Sequence, residues 1–242
     1  KVNLFFQGDY SYKQTLNKNE FVHRIYEDGT EVNQQTKRNR DTNFASSKLG
    51  IDWFINEANK FTSSVYFGSE KILDHGEEPF FNGDFSERLR LWKFLEDELK
   101  TTFMAASNFH HKFKQAGHQL NLSFNYTFHR EDEKYYFDNI QADFTGKDSF
   151  KLLSDEQVAD FKLDYMKPLK SGILELGLKF RKRNIPNNMQ FFQGLNSPLD
   201  TGAGGKAIYK ETIPTLYGNY VFENTKYLVN KEVVTFHSLL EW

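Results

Sequence analysis

The sequence predicts an all-β protein, an antiparallel up-and-down transmembrane β-barrel segment of about nine strands that is incomplete as a barrel. Three observations predict it. Apolar and polar residues alternate one by one along the chain. The connections between the alternating stretches are short and long in turn. The composition is rich in aromatics, with 25 Phe, 12 Tyr and 3 Trp, yet the mean hydropathy is −0.68. A helical membrane protein needs runs of about 20 apolar residues, and the sequence has none. Mixing of apolar and polar residues on a one-residue scale is what a strand with one greasy and one wet face requires.

The alternating stretches follow in order. Val2, Leu4, Phe6, Tyr10 and Tyr12 mark the first, and Leu49, Ile51, Trp53 and Ile55 the second. Phe61, Val65 and Phe67, then Phe103, Ala105 and Phe109, mark two weaker ones. The clearest has Leu120, Leu122, Phe124, Tyr126 and Phe128 interleaved with Asn121, Ser123, Asn125, Thr127 and His129. A helix would scatter those apolar residues around its whole circumference, so a strand is expected, with the first set towards lipid and the second towards a polar lumen. Phe161, Leu163 and Tyr165 follow, then Leu174, Leu176, Leu178 and Phe180, then Tyr209, Ile213 and Tyr217. The last candidate, Tyr227–Phe236, is a poor strand, because Lys231 and Glu232 are adjacent and so are Val233 and Val234.

Short polar turns are expected near Asn56–Lys60, Lys112–His118, Lys167–Gly172 and Glu223–Lys226. Long loops are expected over about Gln14–Asn43, Ile72–Leu99, Glu131–Gln157 and Asn184–Lys206. Tight periplasmic turns and long external loops are the membrane-barrel pattern. An odd strand count would leave backbone groups unpaired in lipid. The chain is therefore expected to be an internal piece of a larger barrel spanning residues 1–242, with 226–242 as a poorly matching end.

Cysteine is absent, which excludes disulfides and thiolate metal sites, and the net charge of −2 gives no general field favouring nucleic acid. His110, His111 and His118 bracket a turn, but no further ligand is fixed nearby by spacing, so no metal site is expected. Gly202-Ala203-Gly204-Gly205-Lys206 lacks the Ser or Thr that a phosphate loop places after its lysine. Neither a nucleophile–base pair nor a carboxylate dyad is suggested by local spacing, so no enzyme activity and no cofactor are expected. The candidate ligand-binding residues are the paired aromatics of the long segments: Phe80 and Phe81, Tyr135 and Tyr136 (with Phe137 beside them), and Phe191 and Phe192. A wet loop has no packing reason for paired aromatics, and with Asn187, Asn188, Gln190 and Gln193 nearby they suit a sugar, peptide or chelate. The alternative is loop-on-loop packing or an upper membrane girdle.

Several segments together resemble the outer membrane protein β-barrel family, the barrel part of TonB-dependent receptors. They are Asn3-Leu4-Phe5 with Tyr10-Ser11-Tyr12, and Leu49-Gly50-Ile51-Asp52-Trp53 with Asn56 and Lys60. Gly117-His118-Gln119-Leu120, and Ile208-Tyr209-Lys210-Glu211 with Ile213 and Tyr217, complete the set. The resemblance runs over roughly residues 1–226, and Leu228-Val229-Asn230-Lys231 departs from it. It implies a parent with an N-terminal plug, a TonB-coupling segment and about 22 strands, resident in the bacterial outer membrane. It also implies uptake of a bulky nutrient such as a chelate, oligosaccharide or peptide. The expected partners are outer-membrane lipid, a small nutrient ligand and the TonB complex. A soluble surface binding module and an outer-membrane enzyme are the rival readings.

Overall fold

A computed structural model describes residues 1–222 apart from Pro198 and Asp200. It contains eight strands: β1 (Val2–Ile25), β2 (Glu31–Phe54), β3 (Asn59–Asn82), β4 (Arg88–Lys112), β5 (Gln119–Ile140), β6 (Thr145–Leu169), β7 (Gly172–Gln193) and β8 (Gly205–Phe222). They form one sheet in sequence order, every neighbouring pair antiparallel, and β1 is not paired with β8. The ninth expected strand, Tyr227–Phe236, and the turn at Glu223–Lys226 lie outside the described residues.

Register explains the alternation. Leu4 faces Ile51, Leu49 faces Val65, Val65 faces Ala105 and Ala105 faces Tyr126. Further across, Leu122 faces Leu163, Leu163 faces Leu178 and Leu178 faces Leu216. Residues directly opposite share a face of the sheet, so the apolar halves of all eight strands join into one belt. A soluble protein would cover this belt with a second layer, and no second layer exists among the described residues. Phe124 and Leu178, on central strands, remain 46% and 44% exposed. Among the described residues only Ile72, Phe80 and Leu91 are buried apolar side chains, far too few for a soluble core. From Leu120 to Phe128 the belt is roughly 27 Å along the strand at ~3.3 Å per residue, enough to cross a bilayer obliquely. Within it, the polar Ser63 hydroxyl is satisfied by the Ser107 hydroxyl at 3.0 Å and the Ala106 carbonyl at 3.2 Å, as lipid requires.

The belt lies at one end of the strands, next to the short turns at 55–58, 113–118 and 170–171. Beyond Phe128 its face becomes charged: Arg130 grips Asp155 through two bonds of 2.7 and 2.8 Å, Lys71 pairs with Asp97, and Lys151 pairs with Asp132 at 3.3 Å. The strands, 18 to 25 residues long, therefore continue well past the membrane. This corrects the expected long loops. Most of residues 14–43, 72–99, 131–157 and 184–206 is paired strand, and the connections are only 26–30, 83–87, 141–144 and 194–204. One bulge interrupts β1, where Leu16 and Asn17 together oppose Asn39, and the Asn39 side chain accepts from the Asn17 amide at 2.8 Å.

A second correction concerns β8. Ile213 faces Arg181 and Tyr217 faces Gly177, on the polar side, whereas Leu216 and Tyr220 carry the belt. The polar side is also the crowded one. Asp74, Thr36, Glu96, Glu98, Ile72 and Phe80 are all buried there, which marks it as the concave, lumenal side of the curved sheet.

Candidate ligand-binding face

Above the belt, each pair of adjacent aromatics is divided by the pleat, since successive side chains point to opposite faces. Phe80, Tyr135 and Phe191 face the lumen, while Phe81, Tyr136 and Phe192 face outwards. Tyr136 and Phe192 are 48% and 49% exposed, and Phe81 rests 5.7 Å from Phe85 of the adjoining loop. The six candidates thus form two surfaces. All lie within strands rather than in wet loops, and the lumenal three have a packing reason that a loop would lack.

The lumenal three join residues that the sequence left unassigned. Phe80 meets Trp92 edge-on at 4.9 Å, Trp92 lies 6.2 Å from Phe137, and Phe137 lies 5.8 Å from Phe150. Tyr135 stacks on Phe150 at 4.7 Å and on Phe137 at 5.5 Å, and Phe150 meets Phe191 at 5.8 Å. The result is a ladder of rings across β3–β7. Arg90 sits over both Phe80 at 4.2 Å and Trp92 at 4.6 Å, a cation–π contact with two rings. Trp92 and Phe150 share the parity of Phe80 and Phe191 once register is known. The signal that could have found them was same-face spacing on paired strands, which a loop assignment hides.

Two buried acceptors flank the ladder with no donor among the described residues: Asn139 Oδ1 and Asp148 Oδ1. Asn139 lies two residues beyond Phe137 on the same face, and Asp148 is opposite Phe137. Buried acceptors normally find a partner.

Below the ladder runs a charged row. Asp74, fully buried, accepts from Arg40 Nε at 2.8 Å and lies 3.4 Å from Arg38. Arg40 also reaches Glu96 at 3.7 Å, and the Tyr135 hydroxyl donates to Glu96 at 2.6 Å. Lys100 lies 3.2 Å from Glu98 and 3.7 Å from Glu131. Burial, then the bond to Glu96, pushes the Tyr135 hydroxyl well above its ordinary value. Burial, reinforced by Glu96, Glu98 and Glu131, pushes Glu133 up to about 7. The arrangement offers flat aromatic faces for stacking, bordered by unpaired acceptors and underlain by acidic groups.

At the turns, His111 bonds Asn59 at 2.7 Å and His118 bonds Tyr165 at 2.9 Å, with Phe113 against both imidazoles at 4.4 and 3.8 Å. The glycine-rich segment at 201–205 begins with a single 3-10 turn before β8.

The model of the outer membrane protein β-barrel family matches residues 111–230. No curated protein matches the chain. The matched span takes in β5 to β8 entire, where the apolar belt and its turns are most regular. Belt, open antiparallel sheet and family match agree, and the chain is an outer-membrane β-barrel protein of the bacterial outer membrane.

Proposed function

We propose that this chain is barrel wall of a receptor that takes up a bulky nutrient, a chelate, oligosaccharide or peptide, with TonB-type energy coupling supplied by the parent protein. The observation that carries the reading is the aromatic ladder from Phe80 to Phe191, facing the lumen beyond the external end of the belt. Flat rings beside the unpaired acceptors Asn139 and Asp148 suit a ligand with planar or pyranose faces and its own N–H or O–H donors. The outward aromatics Phe81, Tyr136 and Phe192 belong to the outer wall and take no part in a lumenal site.

The test is growth of cells carrying the full gene on chelated iron, an oligosaccharide or a peptide mixture as sole source of iron, carbon or nitrogen. Growth on one of these should require the gene and the proton gradient, and Trp92→Ala with Phe150→Ala should raise the half-saturating concentration. Growth independent of the gene on all three sources would refute the reading.

A further inference from the structure

The turns joining β4 to β5 and β6 to β7 form one basic surface at the periplasmic end of the barrel. The first reads Lys112-Phe113-Lys114-Gln115-Ala116-Gly117-His118, and the second Lys167-Pro168-Leu169-Lys170-Ser171-Gly172. Neither contains an acidic residue, although the whole chain carries a net charge of −2. The two turns are joined side by side. Gln115 Nε2 donates to the Pro168 carbonyl at 2.8 Å, and His118 Nε2 shares a hydrogen bond with the Tyr165 hydroxyl at 2.9 Å. Gly117, at φ +76°, lies so close to the Pro168 ring that an added Cβ would stand 3.0 Å from its Cγ.

Several lysines of the sheet are neutralised in place. Lys60, Lys71, Lys93, Lys100, Lys151 and Lys162 each pair with a carboxylate. Among the described residues, no carboxylate lies within ion-pair distance of Lys112, Lys114, Lys167 or Lys170. Their charge is left for something outside the sheet. Two apolar side chains are set among them, Phe113 at 37% and Leu169 at 43% exposure. Lys167 follows Tyr165 on the belt-facing side, opposite Leu174, so it stands where the apolar belt gives way to water. That is the level of lipid headgroups.

We propose that this paired-turn surface binds the phosphate-bearing headgroups of anionic phospholipids in the periplasmic leaflet. Lysines at the end of an apolar belt lay their stems along it and present the ammonium to the interface. Each basic residue near an anionic surface adds attraction that decays within a Debye length. Phe113 and Leu169 enter the boundary between headgroups and acyl chains, which favours a lipid over a free anion.

The test uses the full chain folded in a neutral detergent, titrated with short-chain phosphatidylglycerol or phosphatidylcholine, with bound lipids counted by native mass spectrometry. Phosphatidylglycerol should bind about tenfold more tightly than phosphatidylcholine. The preference should fall below about twofold when Lys112, Lys114, Lys167 and Lys170 are all changed to Gln, and should survive their change to Arg. Gel mobility before and after heating checks that each variant folds, and the Arg variant keeps the proposal testable if the Gln variant fails that check. Equal affinity for the two lipids in the wild type, or a preference unchanged in the Gln variant, would overturn the proposal. Complete displacement of lipid by millimolar inorganic phosphate would identify a free-phosphate site and overturn it equally.

Discussion

Glu133 on β5 stands directly opposite Glu98 on β4, so two carboxyl groups face each other across the lumenal side of the sheet. Like charges so placed destabilise a sheet. Lys100 pairs with Glu98 and Glu131, and among the described residues the Glu133 side chain has no hydrogen bond or ion pair of its own. Its pKa is consequently raised to about 7, by burial first and then by Glu96, Glu98 and Glu131. A carboxyl with a raised folded pKa binds more protons in the folded than in the unfolded state. Its contribution therefore turns unfavourable as pH climbs from the ordinary carboxylate range through about 7. Discounted for solvent at this half-buried position, the penalty at pH 8 is roughly 1–2 kcal/mol. The urea midpoint of the folded protein should be higher at pH 5 than at pH 8, and Glu133→Gln should shrink that difference. An unchanged difference would remove Glu133 as its source.

Tyr217 lies across Gly177, its partner in register. A Cβ at position 177 would fall 2.0 Å from two ring carbons. The same relation recurs between Phe5 and Gly50, where the approach is also 2.0 Å. In both, the ring covers the gap left by the missing side chain, an arrangement that pins register. Tyr217 also donates to Asp164, so displacing the ring breaks a lumenal hydrogen bond. Gly177→Val should destabilise the sheet by about 1–3 kcal/mol. Adding Tyr217→Ala should recover part of that loss, because the clash disappears with the ring. Equilibrium unfolding of the single and double variants checks this, and a double variant less stable than the sum of the two singles would contradict it.

The sequence made the membrane half of each strand legible and obscured the other half. From Leu120 to Phe128 one face meets lipid and the other water, so apolar and polar residues must alternate. From Arg130 to Ile140 both faces meet water or polar neighbours, and the period vanishes although the strand continues. The expected loops therefore begin and end close to where the belt stops, at Tyr12 and Asn43, Lys71 and Leu99, and Phe128 and Gln157. The alternation ends where the outward face turns charged, at Arg130, and not where the strand ends. Once residues 131–157 are taken as loop, cross-strand register is invisible, so nothing could join Phe80 to Trp92 or Tyr135 to Phe150. The face of β8 was misread because Tyr217 and Ile213 are apolar on the lumenal side, Tyr217 as a lid over Gly177.

Hydrogen exchange should expose the open edges. Among the described residues β1 pairs only with β2, and β8 only with β7, so alternate amides of each edge strand point away from any described partner. In an antiparallel pair each residue directs both its N–H and its C=O to one side only. Protection along β1 should alternate between successive amides, while β4 and β5 should be protected at every position. Uniform protection along β1 in the detergent-folded chain would mean that another strand has added to that edge, which exposed edges invite.

The belt makes an asymmetric prediction about adjacent positions. Phe124 lies mid-belt between Ser107 and Phe161, and its neighbour Asn125 faces the lumen opposite Asp160. An arginine at 124 must place its guanidinium in hydrocarbon or pull it far along the strand, at a cost of about 2–4 kcal/mol. An arginine at 125 enters a wet channel beside Asp160, which already holds Arg181 through bonds of 2.8 and 3.0 Å. Phe124→Arg should therefore lower the folding yield into lipid vesicles sharply, and Asn125→Arg should leave it within about 1 kcal/mol of the parent. Reading the folded fraction from gel mobility before and after heating separates the two. Equal losses at both positions would mean that residue 124 does not face lipid, and with that the assignment of the two faces would fail.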